Sequence, residues 1–334
     1  MAQSVVDRAW RTTTADDIES HLADLWREIG RQRPVARAVM SNLIVVRERA
    51  GGGAEPTTVD ELAEKIPLDE VVAQHPSRVV LIQHDRGSHA ACAPSAVSVG
   101  IVTYGPPHAR YGVEQIVVQS ACAERSLPSI VRRLLRGDVP TSVWWADDLS
   151  QAPPLEAIVA MARQLVYDSR AWRDVRQGVL AVARFLGRDR RLDLADINWQ
   201  RLTPLRHAFI HACAAADLDY LREAQVAIVH RAGEDALAWL AAGWLTARLH
   251  PNDDSAPLVD EFEDADELVS ISIGHDLTAA MNDHRVLVTC QRAAPFTVGV
   301  PGVAEADAVA AELRNLGHDA SLHDALSALV ARFS

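Results

Sequence analysis

Cysteine is scarce in this chain, with four in 334 residues. Cys92, Cys122, Cys213 and Cys290 lie far apart and form no CxxC pair, so neither a disulfide framework nor a zinc ribbon is written into their spacing. Buried reduced thiols are the expectation, with Cys92 and Cys122 the one pair open to a redox role. Long apolar runs are missing too. No stretch approaches the 18 or so uncharged residues of a membrane span, and "MAQSVVDRAWRTTTADDIES" at the start holds no apolar signal-peptide core. A cytoplasmic location is expected. Positive charge is in deficit: 33 Lys and Arg against 45 Asp and Glu give a net charge of −12. Such a field repels nucleic acid and anionic lipid. Phosphate and nucleophile loops are lacking as well. No GxGxxG follows a strand pattern, the "GGG" at 51–53 has no lysine after it, and no GxSxG elbow occurs. No cofactor is expected. "HDRGSHAAC" gathers His84, Asp85, His89 and Cys92, but at spacings that match no standard zinc site. His275 and His284 read as surface residues, and no metal is expected.

What is present is the material of a globular α/β protein. Apolar residues make up 49% and charged residues 23%, enough for one large domain or two ordinary ones. Ile18, Leu22, Leu25 and Ile29 recur at helical spacing, with Thr14 or Asp16 as cap and Gly30 as stop. The 36–48 stretch and "SRVVLIQHD" read as strands, separated by a helix over 60–72. "AVSVGIVTY" and "GVEQIVVQSA" flank the Pro- and Gly-rich "YGPPHARYG" and read as a hairpin. A helix over 127–135, a strand ending in "VWW", and alternating helices and strands follow, with helices over 201–216 and 235–249 around "AQVAIVH". "ELVSISIGH", "HRVLVTCQR" and "FTVGV" read as antiparallel strands before two C-terminal helices. The pattern predicts a mixed α/β or α+β fold in two lobes, each a sheet with packed helices. The division falls near residue 155, giving an N-terminal α/β domain (1–155) and a C-terminal one (156–334) with antiparallel strands near its end.

"VPTSVWWADDL" (139–149) carries the sharpest local question. Successive strand side chains point to opposite faces, so Trp144 and Trp145 cannot share one. A strand apolar on both faces is a central strand, and Asp147 and Asp148 then fall at its carboxyl end, where ligands bind in open α/β sheets. Two readings follow. In one, a Trp platform and an acid or base, Asp147, Asp148 or Asp168, form a sugar or sugar-phosphate site. In the other, both tryptophans are core and the aspartates serve the following turn. Asp168 or Ser169 in "YDSR" is equally suited to cap a helix.

Four segments in order, "HPSRVVLI" (75–82), "VPTSVWWADDL" (139–149), "DINWQRLTPLR" (196–206) and "AAGWLTARL" (241–249), resemble the glucose-6-phosphate dehydrogenase assembly protein (OpcA) family. The likeness runs from about Ala36 to Val288, and the first 35 residues and the tail beyond about 290 match poorly. Leu205 stands before Arg206 where the family pattern usually has Trp. The resemblance implies a protein without catalysis of its own, a partner of glucose-6-phosphate dehydrogenase that assists its assembly or activates it allosterically in the oxidative pentose phosphate pathway. Trp144, Trp145, Asp147, Asn198, Trp199, Arg201, Arg206 and Trp244 are the motif residues expected either to meet that partner or to hold the fold. Tryptophan and arginine suit both roles. Asn198 is expected to cap a helix and to place Arg201 in its first turn. A cation there opposes the helix dipole, so Arg201 needs a carboxylate, in this chain or on the dehydrogenase.

Overall fold

The structure is a computed structural model that describes residues 5–49, 66–85, 96–106, 108–120, 126–187, 192–214, 221, 223–249, 257–263, 265–291 and 293–334. Among these residues the strands form one sheet of nine and one of six. In sequence the large sheet uses β1 (Val5–Thr13), β2 (Ala36–Arg37), β3 (Ser41–Arg49), β4 (Ser77–Asp85), β5 (Ala96–Tyr104), β6 (Tyr111–Ser120), β7 (Thr141–Trp145), β8 (Gln164–Tyr167) and β9 (Asp193–Asp196). Its spatial order is β1-β5-β6-β4-β3-β7-β8-β9, with β2 beside β6. Every pairing from β6 to β9 is parallel, and β5 and β1 add an antiparallel edge. Parallel strands need crossovers that cover both faces, and so they read as continuous apolar runs. Leu43, Ile44, Val45 and Val46 meet that demand in β3, and Val79, Val80, Leu81 and Ile82 in β4; all are buried.

The small sheet is β10 (Val226–Arg231), β11 (Leu258–Phe262), β12 (Val269–Ile273), β13 (Leu277–Met281), β14 (Arg285–Cys290) and β15 (Ala293–Gly299), in the order β11-β10-β12-β13-β14-β15. β11 pairs with β10 in parallel, and the remaining pairs are antiparallel. Burial alternates along β12 and β13, as in a sheet with one face on the core.

The helices are α1 (Ile18–Gln32), α2 (Leu68–Gln74), α3 (Leu127–Leu134), α4 (Glu156–Val159), α5 (Val175–Ala183), α6 (Ile197–Arg201), α7 (Thr203–Cys213), α8 (Asp235–Leu249), α9 (Glu305–Arg314) and α10 (Ala320–Phe333). One face of the large sheet shares a core with α1, α3, α5, α7, α8, α10 and the inner face of the small sheet. The other face is covered by α2 and, from the far end of the chain, by α9 through Val309, Ala310 and Leu313. Gln74 Nε2 donates to Asp307 Oδ1 at 2.6 Å, and Gln164 Nε2 donates to the Glu312 carbonyl at 2.9 Å.

The mixed α/β class and the β5–β6 hairpin are as expected. Gly105 turns that hairpin at φ +92°, where a Cβ would also stand 2.5 Å from the Ala109 carbonyl oxygen. Several boundaries differ. The large sheet runs past residue 155, because β8 and β9 continue it, and the sheets change over between Asp196 and Val226. α1 follows Asp17 and passes through Gly30 to Gln32. The 36–48 strand is two, β2 and β3, and the described part of the 60–72 helix is α2. The 201–216 helix is broken at Leu202 into α6 and α7. β1, β9, β11 and β13 were not expected. His275 and His284 are exposed, flanking β13. His89, Cys92 and Cys122 lie outside the described residues. Cys213 and Cys290 are free and half-buried, and burial with the nearby Cys290 pushes the Cys213 thiol up to about 11.

Candidate functional site

The ends of β3, β7, β8 and β9 form one carboxyl edge, and the aspartates of interest stand there. β7 is buried at every position. Trp144 enters the core under α2 and α9, and Trp145 enters the core on the opposite face, each 1% exposed. Neither is a surface platform. Asp147 accepts the Glu48 backbone N–H on Oδ2 and holds Arg47 Nε 3.3 Å from Oδ1. It thereby ties the end of β3 to the end of β7. Burial pushes the Asp147 carboxyl up, although Arg47 and the Glu48 N–H pull the other way. Asp148 accepts the Ser150 N–H at 2.8 Å and the Arg173 N–H at 3.2 Å. Asp168 accepts the Arg170 N–H at 3.0 Å, as a cap does, and pairs with the Arg170 guanidinium. Each of the three aspartates is thus engaged by its own surroundings.

The 196–206 segment is a hub. Asp196 rather than Asn198 caps α6: its Oδ1 accepts the Asn198 N–H at 2.9 Å and the Ser169 N–H at 3.1 Å. Asn198 Nδ2 donates to Ser169 Oγ at 3.0 Å, and Asn198 Oδ1 accepts from Arg201 at 2.9 Å. Trp199, buried, donates its indole N–H to Asp319 at 2.8 Å, and the Arg206 guanidinium lies 3.9 Å over the Trp199 ring. Arg201 grips Glu234 through both terminal nitrogens at 2.8 and 3.0 Å. The expected first-turn position of Arg201 is corrected: α6 is so short that Arg201 stands in its last turn, where a cation suits the dipole. Its carboxylate partner is within the chain. Asp196 is fully buried, and burial first, then Asp168, raises its carboxyl to about 7 against the pull of the two N–H donors.

Beside this hub a cavity of about 630 Å³ opens between α6, the start of α7, α9 and the small sheet. Arg170, Gln200, Arg201, Asp283, Glu305 and Glu312 supply its polar wall, and Leu268, Met281, Pro301 and Ala308 part of its apolar one. Burial lifts Glu312 to about 7, opposed by a hydrogen bond from Gln200. Asp147, Asp148 and Asp168 do not line this cavity. Its size and mixed lining suit a small polar molecule.

The "HPSRVVLI" segment serves the opposite, amino edge. Arg78 and Glu114 are both buried and paired, and Glu114 also receives Arg37, the Trp26 indole N–H at 2.8 Å and, at 3.6 Å, Arg136. Arg78 reaches Glu19 as well. Burial alone would raise the Glu114 carboxyl; Arg78, then Trp26, Arg37 and Arg136, outweigh it and hold the group below the ordinary range. Motif spacing passes over Glu114, though the one charged residue in the strand-like "GVEQIVVQS" is a signal that a buried cation must meet it.

"AAGWLTARL" is the C-terminal part of α8, a helix buried on nearly every side. A Cβ on Gly243 would lie 2.5 Å from the Ala325 carbonyl oxygen, so glycine lets α8 and α10 touch backbone to backbone. Trp244 is buried, edge-on to Phe209 at 5.7 Å. Of the tryptophans, Trp144, Trp145, Trp172, Trp199 and Trp244 are core, and Trp10, Trp26 and Trp239 are half-buried.

Among solved structures the chain is similar to a myo-inositol dehydrogenase from Corynebacterium glutamicum, at 11% identity over 86% of this chain and 93% of that one, with a TM-score of 0.38. It is also similar to a putative oxidoreductase from Bacteroides fragilis, at 9% identity over 88% and 97%, with a TM-score of 0.35. No curated protein matches the chain. Two family models do match. Residues 68–184 fit the model for the N-terminal domain of the glucose-6-phosphate dehydrogenase subunit, and residues 192–326 fit the model for the C-terminal domain of the same protein. The match begins later than Ala36 and continues beyond Val288, taking in α9 and part of α10. All four motif segments fall inside it, and the chain belongs to the glucose-6-phosphate dehydrogenase assembly protein (OpcA) family.

Proposed function

We propose that this chain is a non-catalytic partner of glucose-6-phosphate dehydrogenase, an assembly factor or allosteric activator that acts in the cytoplasm on the oxidative pentose phosphate pathway. The observation that carries the reading is the pair of adjacent family models over residues 68–326. The geometry agrees with it. Asp147, Asp148 and Asp168 are held by backbone N–H groups or arginines of their own neighbourhood, and none of them lines the cavity. A sugar-phosphate enzyme would instead need an acid and a base facing one ligand. Trp144 and Trp145 are core, so neither stacks on a sugar.

The test mixes the purified chain with the dehydrogenase of the same organism. Co-elution on size-exclusion chromatography and a rise in the dehydrogenase's kcat/KM or in the stability of its oligomer are expected. The chain alone should turn over no sugar phosphate. Unchanged kinetics and an unchanged oligomer at saturating amounts of this chain would refute the reading.

A further inference from the structure

A second cluster lies where β10 ends and α8 begins, just past Glu234, the partner of Arg201. His230, Asp235 and Glu261 each present one ligand atom, and the three atoms lie within 4.8 Å of one another. Three elements supply them: β10, the first residue of α8, and the edge strand β11, on which Glu261 stands opposite His230 in the parallel register. His230 is 3% exposed. Its Nδ1 lies 3.0 Å from the carbonyl oxygen of Arg231, and a carbonyl only accepts, so the ring donates there. The proton is thereby placed on Nδ1, and Nε2 keeps its lone pair for the carboxylate side. Asp235 Oδ1 stands 4.0 Å from Nε2, too far for a hydrogen bond, and among the described residues Nε2 makes none. A buried imidazole anchored on a carbonyl by one nitrogen, with Asp235 beside the other and Glu261 opposite on the paired strand, is the arrangement that orients a histidine for a metal ion.

We propose that His230, Asp235 and Glu261 bind one divalent transition-metal cation, with zinc the favoured ion. An imidazole with two carboxylates suits zinc better than magnesium or calcium, which prefer oxygen alone. Zinc holds such ligands at about 2.0–2.2 Å, which in a tetrahedron places them roughly 3.3 Å apart. Closing from the present spacing, within 4.8 Å, takes up to about 1.5 Å of movement. The half-buried Asp235 and the exposed Glu261 have room to make it while His230 stays fixed. Two carboxylates balance the ion's charge, and a fourth position is left to water. Arg231, the adjacent cation, is paired with Glu234 and Asp283, each at 3.8 Å, and so is committed away from the ion. Bound metal would pin β11, the edge of the small sheet, to the head of α8.

The test is calorimetric titration of the full chain, stripped with EDTA, first with zinc chloride and then with magnesium chloride. One zinc site of micromolar or tighter affinity is expected, with no comparable magnesium heat. Glu261→Gln and Asp235→Asn should each weaken zinc at least about tenfold, whereas Glu263→Gln, on the same exposed stretch, should not. His230→Asn should abolish binding; should that variant not fold, the exposed Glu261→Gln, checked by circular dichroism, decides alone. No saturable zinc uptake, equal uptake by Glu261→Gln, or equal binding of magnesium would overturn the proposal.

Discussion

Glu114 and Asp196 are both 1% exposed, yet their carboxyls shift in opposite directions. At the amino edge of the large sheet, Glu114 is surrounded by Arg78, Arg37, Arg136 and an indole N–H, and burial loses to them. At the carboxyl edge, Asp196 meets the backbone N–H groups of Ser169 and Asn198, the Ser169 side chain and the like charge of Asp168, but no cation among the causes of its shift, and burial wins, with the carboxyl at about 7. Depth alone therefore does not decide ionisation in this fold. The supply of cations does. One edge is a permanently charged clamp; the other gains and loses a proton near neutrality.

The largest expected effect breaks the clamp. Arg78→Met leaves Glu114 without its fully buried cation and should cost about 3–5 kcal/mol. The double variant Arg78→Met, Glu114→Leu should recover much of that loss. Urea midpoints of the two variants check this, and equal midpoints would show that Arg78 and Glu114 are not a unit. Of similar size is the loss of the strand that joins the two edges. Trp144→Ala and Trp145→Ala each remove a core indole and should cost about 3–5 kcal/mol, seen as low solubility or a much lower Tm. A stable Trp145→Ala that has lost only its effect on the dehydrogenase would contradict the core reading.

Next comes the proton. Unfolded aspartate titrates near 3.9, and Asp196 in the fold at about 7. Between those values the native chain keeps a proton that the unfolded chain has lost, so stability falls as pH rises from about 4 to 7 and is level above. Asp196→Asn should match the parent near pH 4 and exceed it by a few kcal/mol, as an order of magnitude, above pH 7. Glu114→Gln should do the reverse and be less stable than the parent at neutral pH, because a depressed carboxyl contributes stability above its unfolded pKa. Unfolding curves at a series of pH values distinguish the two. The smallest effect is that of Asp147→Asn, which loses one charged contact to Arg47 and should cost about 1 kcal/mol or less. It should leave activation of the dehydrogenase intact; a folded variant unable to activate would place Asp147 at the partner surface.

Local pattern made some of this readable from the chain. The i, i+3, i+4 spacing of α1, the alternation in β7 and the turn residues of the β5–β6 hairpin depend on neighbours in sequence. Asp148 and Asp168 accept N–H groups of their own turn and cap, whereas Asp147 reaches across to β3, which its place in sequence does not show. β9 was missed because "DLAD" has no apolar run, and it becomes a strand only through its pairing with β8. The break at Leu202 was missed because Pro204 is tolerated in the first turn of a helix and so did not mark where the previous one stopped. The partner of Arg201 was narrowed to a carboxylate, but Glu234 lies 33 positions away. Nothing local could choose it. His230, Asp235 and Glu261 meet only because β11 pairs with β10, and no spacing motif records that.

The placing of α9 bears on the order in which the chain can complete itself. Leu43, Val45, Val79, Leu81 and Trp144 share their side of the large sheet with Val309, Ala310 and Leu313. During synthesis that side is bare of α9 until Glu305–Arg314 emerges, long after β9. The first lobe made is therefore among the last finished, because a helix inside the second matched segment completes the core of the first. A chain stopped after residue 300 should bind an apolar dye where the full chain does not, and a separately added 301–334 peptide should reverse it. Any helper that holds the nascent protein has its target here, on a wall of valine, leucine and tryptophan that waits for a helix made about 160 residues after Trp144.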